Sequence, residues 1–317
     1  MSQKEFVFSA PIEILDIKQS FDYPIYAKCD NRGFKVLVEK NSLYSKKECN
    51  FYKNNQLKKV FITVKDKIKY QTDVQKYITN IVDNDDISAN VKAILINDLA
   101  KDTIQNLFEA ADISKETLTN VNTLLSSSID FILKDELAIK SMLKVISYDY
   151  YTSTHCIDVA TYALAFGAYL KLEKEELELL GKAALLHDLG KRKIDKNIIC
   201  KNGKLTTEEF EKVKEHPTFS VKILKKYGET NQRLLDIIEQ HHEKCDGTGY
   251  PRGLKSNEID DFAKIIAICD IFHALTTRRS YKDSFDKHKA FMIMYEKMRG
   301  EICEDYLRAF LQFLKVT

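Results

Sequence analysis

A chain of 317 residues with 49 Lys and Arg against 47 Asp and Glu carries a formal charge of +2; it is long enough for two domains with separate cores, and the even balance argues against a nucleic-acid partner held mainly through its phosphates. No run of twenty apolar residues occurs and Met1-Ser2-Gln3-Lys4-Glu5 lacks the apolar core of a signal peptide, so a cytoplasmic protein without membrane insertion is expected. Seven cysteines, at 29, 49, 156, 200, 245, 269 and 303, form no C-x-x-C pair and read as reduced thiols, with Cys156 and Cys269 as core filler.

Residues 1–82 consist of short apolar and aromatic runs between turns. Ile12-Glu13-Ile14-Leu15, Tyr26-Ala27-Lys28-Cys29, Phe34-Lys35-Val36-Leu37-Val38 and Val60-Phe61-Ile62-Thr63-Val64 alternate at period two, which predicts strands. Asp30-Asn31-Arg32-Gly33 joins the second and third as a hairpin, and Lys53-Asn54-Asn55 reads as a further turn. A helix over Thr72–Ile81 completes a small module of sheet and helix. It carries 15 Lys and Arg against 9 Asp and Glu, about +6, which suits a solvated face or contact with an acidic protein partner or a nucleotide. No catalytic constellation falls in it.

The polar, acidic stretch Val82–Ala89 marks a boundary, with Ser88 placed to cap the helix that follows. Over 88–148 apolar residues recur at three and four: Val91, Ile94, Leu95, Leu99, Ile104, Leu107 and Phe108, then Leu118, Val121, Leu124, Leu125, Ile129 and Ile132. That is helical spacing, uninterrupted by Pro or Gly and continued by Glu136–Ser147. These connector helices serve packing, or an interface that would make the chain a homodimer.

From 149 to 317 the pattern stays helical and the chemistry begins. Helices are predicted over Cys156–Leu170, Lys174–Leu189, Pro217–Lys226, Gln232–His242 and Phe262–Leu275, with two more to the end of the chain. Thr206 and Glu209 have capping-box spacing, and His216, preceding Pro217, should sit at a helix break. The fold class is therefore α+β overall, a small N-terminal module followed by an all-α bundle.

His187-Asp188-Leu189-Gly190-Lys191 ends the apolar segment Ala183-Ala184-Leu185-Leu186. A carboxylate after such a run is costly to bury unpaired, and a hard divalent cation takes carboxylate oxygen and imidazole nitrogen together. All seven histidines cluster from position 155 onward, at 155, 187, 216, 241, 242, 273 and 288, whereas packing residues would be scattered over the whole chain. Adjacent His241 and His242 point about 100° apart on a helix, so both reach one cluster only where the helix ends or two metals share the space. Asp270, within Ile265-Ile266-Ala267-Ile268-Cys269, is a second carboxylate in an apolar run.

From Asp149 to Thr317 these residues resemble the HD-GYP subgroup of the HD-domain metal-dependent phosphohydrolases. The resemblance is carried by His187-Asp188 with Leu189-Gly190-Lys191, by His216-Pro217, by His241-His242-Glu243 followed by Asp246-Gly247-Thr248-Gly249-Tyr250-Pro251, and by Cys269-Asp270-Ile271-Phe272 with Ala274-Leu275-Thr276. It implies an HD-type helical bundle and phosphodiesterase activity on cyclic di-GMP, giving linear pGpG or GMP. The metal ligands it implies are His155, His187, Asp188, His216, His241, His242 and Asp270, with Asp188 bridging two ions. It places Lys191 beside the scissile phosphate, Tyr250 at the guanine pocket, and Arg279 and Lys282 on the substrate phosphates.

Two departures from the family stand out. Tyr151 occupies the position where some members carry a glutamate that helps to hold a third metal, so two ions are expected. His273 replaces an aspartate common in the family and is assigned here to substrate contact, an extra ligand or the wall of the site. The change leaves room for a mixed guanine-adenine cyclic dinucleotide. Two ions lower the pKa of a shared water toward neutrality, and the expected attacking group is the resulting bridging hydroxide, with Lys191 and Asp188 as catalytic residues. Imidazole and carboxylate without thiolate suit iron or manganese. A receptor that binds the dinucleotide without turnover is the reading from a different class.

Overall fold

Four short strands rich in β-branched and aromatic residues open the protein, seen here in a computed structural model that describes residues 7–29, 33–54, 57–146, 152–201, 203–277 and 284–317. They are β1 (Val7–Pro11), β2 (Ile25–Cys29), β3 (Gly33–Val38) and, after helix α1 (Lys46–Asn54), β4 (Lys59–Thr63). The sheet is antiparallel in the order β1-β4-β2-β3. The predicted hairpin is the β2–β3 pair, with Cys29 opposite Gly33 and Ile25 opposite Val38. The expected run Ile12–Leu15 is instead a 3-10 turn, Ile12–Asp16, because Ile12, Ile14 and Leu15 are all buried, which one face of a strand cannot achieve. Edge strand β1 precedes it and stops at Pro11, a residue confined to edges and strand ends. Helix α1 takes in Lys53 and Asn54, which the sequence reads as part of a turn.

Helix α2 (Lys67–Asp83) begins a turn earlier than its apolar period indicated and packs Tyr70, Val74, Ile78, Ile81 and Val82 inward. The core of this unit gathers Phe21, Tyr23, Ile25, Val60 and Ile62, all fully buried. Buried Asp73 accepts a hydrogen bond from the Tyr23 hydroxyl at 2.9 Å and faces the Lys18 ammonium at 2.5 Å. Helix α3 (Ala89–Glu109) follows. The chain divides into two compact units, Met1–Leu99 and Ala100–Thr317, and the division falls inside this helix.

The second unit is helical throughout its described residues: α4 (Lys115–Ile132), α5 (Glu136–Lys144), α6 (Thr152–Tyr169), α7 (Lys174–Leu186), a 3-10 turn at Leu189–Lys193, α8 (Lys196–Ile199), α9 (Thr207–Val213), α10 (His216–Lys226), α11 (Gln232–Gln240), α12 (Asp261–Thr276), α13 (Lys287–Lys297) and α14 (Glu304–Val316). Ser114 and Asp135 cap α4 and α5, and Thr206 with Glu209 forms the anticipated capping box on α9. Every residue from His155 to Gly167 is buried, so α6 is the axle of the bundle, apolar on all sides as an enclosed helix must be. It is flanked by α7 and α12 and closed by α14, where Phe166 and Phe272 each meet Phe310 edge-on, at 5.1 and 5.2 Å. No described helix is long and apolar enough to cross a membrane. Cys156, Cys200, Cys245, Cys269 and Cys303 are in no disulfide, and Cys156 and Cys269 are buried.

Candidate metal centre

Five segments meet at the mouth of this axle. His155 comes from the first turn of α6, and His187 and Asp188 from the point where α7 ends. His216 opens α10, with Pro217 inside its first turn, so the break expected from the His-Pro pair is present. Helix α11 ends at Gln240, which frees His241 and His242 from strict helical spacing, and Asp270 projects from α12.

Gly190 allows the turn after Asp188 to lie directly on α10. A Cβ there would come within 2.0 Å of the His216 carbonyl oxygen and 2.5 Å of the Ser220 nitrogen. Ser220 fastens the contact: its Oγ accepts from the Gly190 N–H at 2.7 Å and donates toward the carbonyl of His187 at 2.9 Å. On the far side the Arg192 guanidinium donates to the carbonyls of Leu107, at 2.7 Å, and Ala110, at the end of α3.

Local hydrogen bonds select the tautomer of three histidines. The Nδ1–H of His187 donates to the Ala184 carbonyl at 2.7 Å, that of His216 to Val213 at 2.6 Å, and that of His241 to Ile238 at 2.7 Å. Each partner lies three residues back in the chain. With the hydrogen on Nδ1, each ring turns a lone pair on Nε2 toward the interior. There His216 Nε2 lies 3.1 Å and His187 Nε2 3.4 Å from the two oxygens of Asp188, and His155 Nε2 lies 3.1 Å from Asp270 and 3.6 Å from Asp188.

These donors fit a cation. The Nε2 atoms of His216 and His241 face each other at 3.2 Å with no hydrogen to share, and two nitrogens each about 2.1 Å from one ion stand about 3.0 to 3.4 Å apart. His187 Nε2 and Asp188 Oδ1 are buried without a hydrogen-bond partner, and such orphaned groups call for an explanation. Among the described residues two sets of donors form, the ligand atoms of each lying within 4.8 Å of one another: Asp188 with His216, His241 and His242, and Asp188 with His155 and His187. Asp188 belongs to both, as a bridging carboxylate would.

The electrostatics agree with a ligand shell. Burial holds His155 down at about 4 and His242 at about 3, and burial with the neighbouring histidines keeps His241 well below the usual imidazole range. All three rings therefore keep their lone pairs at neutral pH. Burial opposes ionisation of Asp188 and Asp270, but Lys191 and His187 beside the first, and His155 beside the second, hold both well below the usual carboxylate range. His187 is raised: burial pushes it down, and adjacent Asp188 outweighs that. The Lys191 ammonium lies 2.5 Å from Asp188 Oδ2 and stays partly accessible.

The glycine-rich loop after His242 is built on Glu243. This buried carboxylate accepts the N–H groups of Arg252 at 2.6 Å and Leu254 at 2.9 Å. Gly249 rests on the backbone of Glu243 and Lys244, where a Cβ would stand 2.3 Å from the Lys244 nitrogen. The loop thereby lays the Tyr250 ring against His242, centroids 4.8 Å apart, with Phe210 and Lys214 behind it.

The structure thus brings together His155, His187, Asp188, Lys191, His216, His241, His242, Tyr250 and Asp270. Arg279, Lys282 and Tyr151 lie outside the described residues. His273, assigned to substrate contact, an extra ligand or the wall of the site, is fully buried, with its two nitrogens directed at His155, Asp158 and Thr277. Sequence reasoning passed over Asp158, Ser220 and the clamping role of Glu243. Asp158 had a usable signal, being a carboxylate inside the apolar helix 156–167, three residues after His155, and so open to the argument applied to Asp270.

Fold and site together define a helical bundle built around a buried histidine–aspartate centre suited to cations. A family model described as an HD domain matches residues 119–302, more than half of the chain, and the chain belongs to that family. A cyclic di-GMP phosphodiesterase of Pseudomonas aeruginosa is 31% identical over 221 residues, covering 69% of this chain and 53% of that protein. The 3′3′-cGAMP-specific phosphodiesterase 3 of Vibrio cholerae is 38% identical over 152 residues, covering 48% of this chain and 33% of that one. The chain thus spans about half the length, or less, of these curated relatives. A solved HDG"Y"P protein from Bdellovibrio bacteriovorus shares the fold, with a TM-score of 0.69 at 21% identity over 98% of this chain and 100% of that chain.

Proposed function

We propose that this chain is a metal-dependent phosphodiesterase that hydrolyses cyclic di-GMP to linear pGpG or GMP in the cytoplasm, with two divalent ions, iron or manganese, at the centre. The observation that carries the reading is the convergence of imidazole Nε2 atoms on the two oxygens of Asp188, with the Lys191 ammonium on the same carboxylate. His155, His187, His216, His241, His242, Asp188 and Asp270 would hold the ions. When bound, these supply a water acidified toward neutrality and a Lewis-acid contact for the phosphoryl oxygens.

The chain's own residues do the rest. Lys191 is accessible at the edge of the cluster and offsets the negative charge that builds on the phosphoryl oxygens during in-line displacement. Tyr250, set by the Glu243 clamp, provides an aromatic face for a guanine. Arg279 and Lys282 are assigned to the substrate phosphates by the sequence resemblance, since a dianionic dinucleotide calls for paired cationic groups. Buried His241 and His216 keep bulk water from the inner side of the centre.

A mixed cyclic GMP-AMP dinucleotide is the second reading, favoured by the similarity to the Vibrio cholerae enzyme of that specificity. Incubating the purified chain with manganese or ferrous iron and either dinucleotide, followed by chromatography of the products, tests both. Conversion of cyclic di-GMP to pGpG supports the first reading, and selective cleavage of 3′3′-cGAMP supports the second. Binding without any product would overturn both in favour of a receptor.

A further inference from the structure

His273 and Asp158 belong to neither set of donors, yet they adjoin the centre. Helix α12 places His273 nearly one turn after Asp270, and α6 places Asp158 nearly one turn after His155, so each helix supplies one candidate ligand and one supporting group. His273 Nε2 lies 3.2 Å from Asp158 Oδ2 and 3.0 Å from Thr277 Oγ1, and His273 Nδ1 lies 2.9 Å from His155 Nδ1. His155, Asp158, His273 and Thr277 are all at most 2% exposed.

The hydrogens follow from these contacts. With the Asp158 carboxylate accepting from Nε2–H of His273, the Nδ1 of His273 is left to present a lone pair. That lone pair requires the hydrogen of His155 to be on Nδ1. The Nε2 of His155 then turns its lone pair toward the centre, and this is the atom that lies 3.1 Å from Asp270 and 3.6 Å from Asp188. His187, His216 and His241 reach the same tautomer through the carbonyl three residues back. His155 sits within α6, where the carbonyls belong to the helix ladder, and it uses a second histidine instead.

We propose that Asp158 and His273 form a relay that fixes the tautomer and ring orientation of His155 toward the metal centre, making His273 a positioning residue. A ligating histidine ordinarily donates its other N–H to a carboxylate, carbonyl or water; here an imidazole is interposed between histidine and carboxylate. The relay rests on the metal-centre reading above, and the experiment separates the two.

The test uses the full chain, labelled with nitrogen-15 histidine and loaded with zinc, which is diamagnetic. Long-range proton–nitrogen correlation should show hydrogen on Nδ1 of His155 and on Nε2 of His273. His273→Phe keeps an aromatic filler without an acceptor, and by chelator competition it should bind zinc about 10- to 100-fold more weakly. His273→Asn offers an amide oxygen near the position of Nδ1 and should recover most of that loss. Hydrogen on Nε2 of His155, or a His273→Phe variant with the zinc affinity of the parent, overturns the relay and leaves the metal centre standing. A parent chain that takes up no zinc overturns the metal centre and the relay together. Should His273→Phe fail to fold, the spectrum of the parent still decides.

Discussion

Replacing Gly190 by alanine asks how closely the turn after the His-Asp pair must lie on α10. The added Cβ would stand 2.0 Å from the His216 carbonyl oxygen, where ordinary contact begins at 3.4 Å, so the two backbones must part by about 1.4 Å, the difference between those values. Neither neighbour is the end of a flexible side chain. Overpacking of this kind costs about 3 kcal/mol, which for a unit of this size lowers Tm by about 6 to 12 °C. The same movement stretches the bond from Gly190 N–H to Ser220 and carries Asp188 away from His216, now 3.1 Å from it. Metal affinity should therefore fall about 10- to 100-fold, as when an outer support of a ligand is lost. Thermal melting by circular dichroism and chelator competition on the purified variant measure the two effects. An alanine variant that melts within about 1 °C of the parent and binds metal equally well would refute the argument that this glycine registers the centre.

Three further outcomes follow from the same geometry. Lys191→Ala should lower turnover about 100- to 1,000-fold while metal content, read by elemental analysis, stays at the parental level; a matching loss of metal would make Lys191 a structural partner of Asp188. Glu243→Ala leaves the Arg252 and Leu254 N–H groups without their acceptor, at about 1 to 3 kcal/mol each, so hydrogen exchange at those amides should quicken. Unchanged protection there would remove the clamp. In the metal-stripped chain, His155 at about 4 and His242 at about 3 stay neutral between those values and the ordinary imidazole value of about 6.5. The unfolded chain takes up protons over that window and the native one does not, so stability falls as pH drops from 6.5 toward 4. Depressed Asp188 and Asp270 add a loss in the same direction at lower pH, whereas the contribution of raised His187 is gained above about 6.5 and stays constant through this window. A Tm that holds or rises on acidification would contradict the burial of these rings.

Much of this site was readable before any coordinates. Burial cost alone drew attention to Asp188 and Asp270, because each follows or interrupts an apolar run, and the structure encloses Asp188 and leaves Asp270 partly accessible. Proline after His216 announced the break at α10, and the pair His241-His242 called for a helix end or two metals sharing the space; the helix ends at Gln240. The N-terminal sheet was harder. Edge strand β1 has one buried residue in five, so its period is faint, and α1 is polar with mostly exposed side chains, its start marked by the reciprocal Ser45–Glu48 hydrogen bonds rather than by an apolar period. Asp158 was overlooked because α6 is apolar all round, and no period distinguishes the side of it that meets α12.

Residue order and type were enough to determine most of the helical segments beyond Ser88, where several of them end, and that carboxylates and imidazoles too costly to bury alone must share something. Those are local properties, set by helical period, capping residues and the price of an unpaired charge. Which nitrogen each histidine turns inward, and that His273 faces His155 and Asp158, was decided only when α6 and α12 packed side by side. An imidazole takes its tautomer from the group its other nitrogen meets, and for His155 that group lies 118 positions away along the chain.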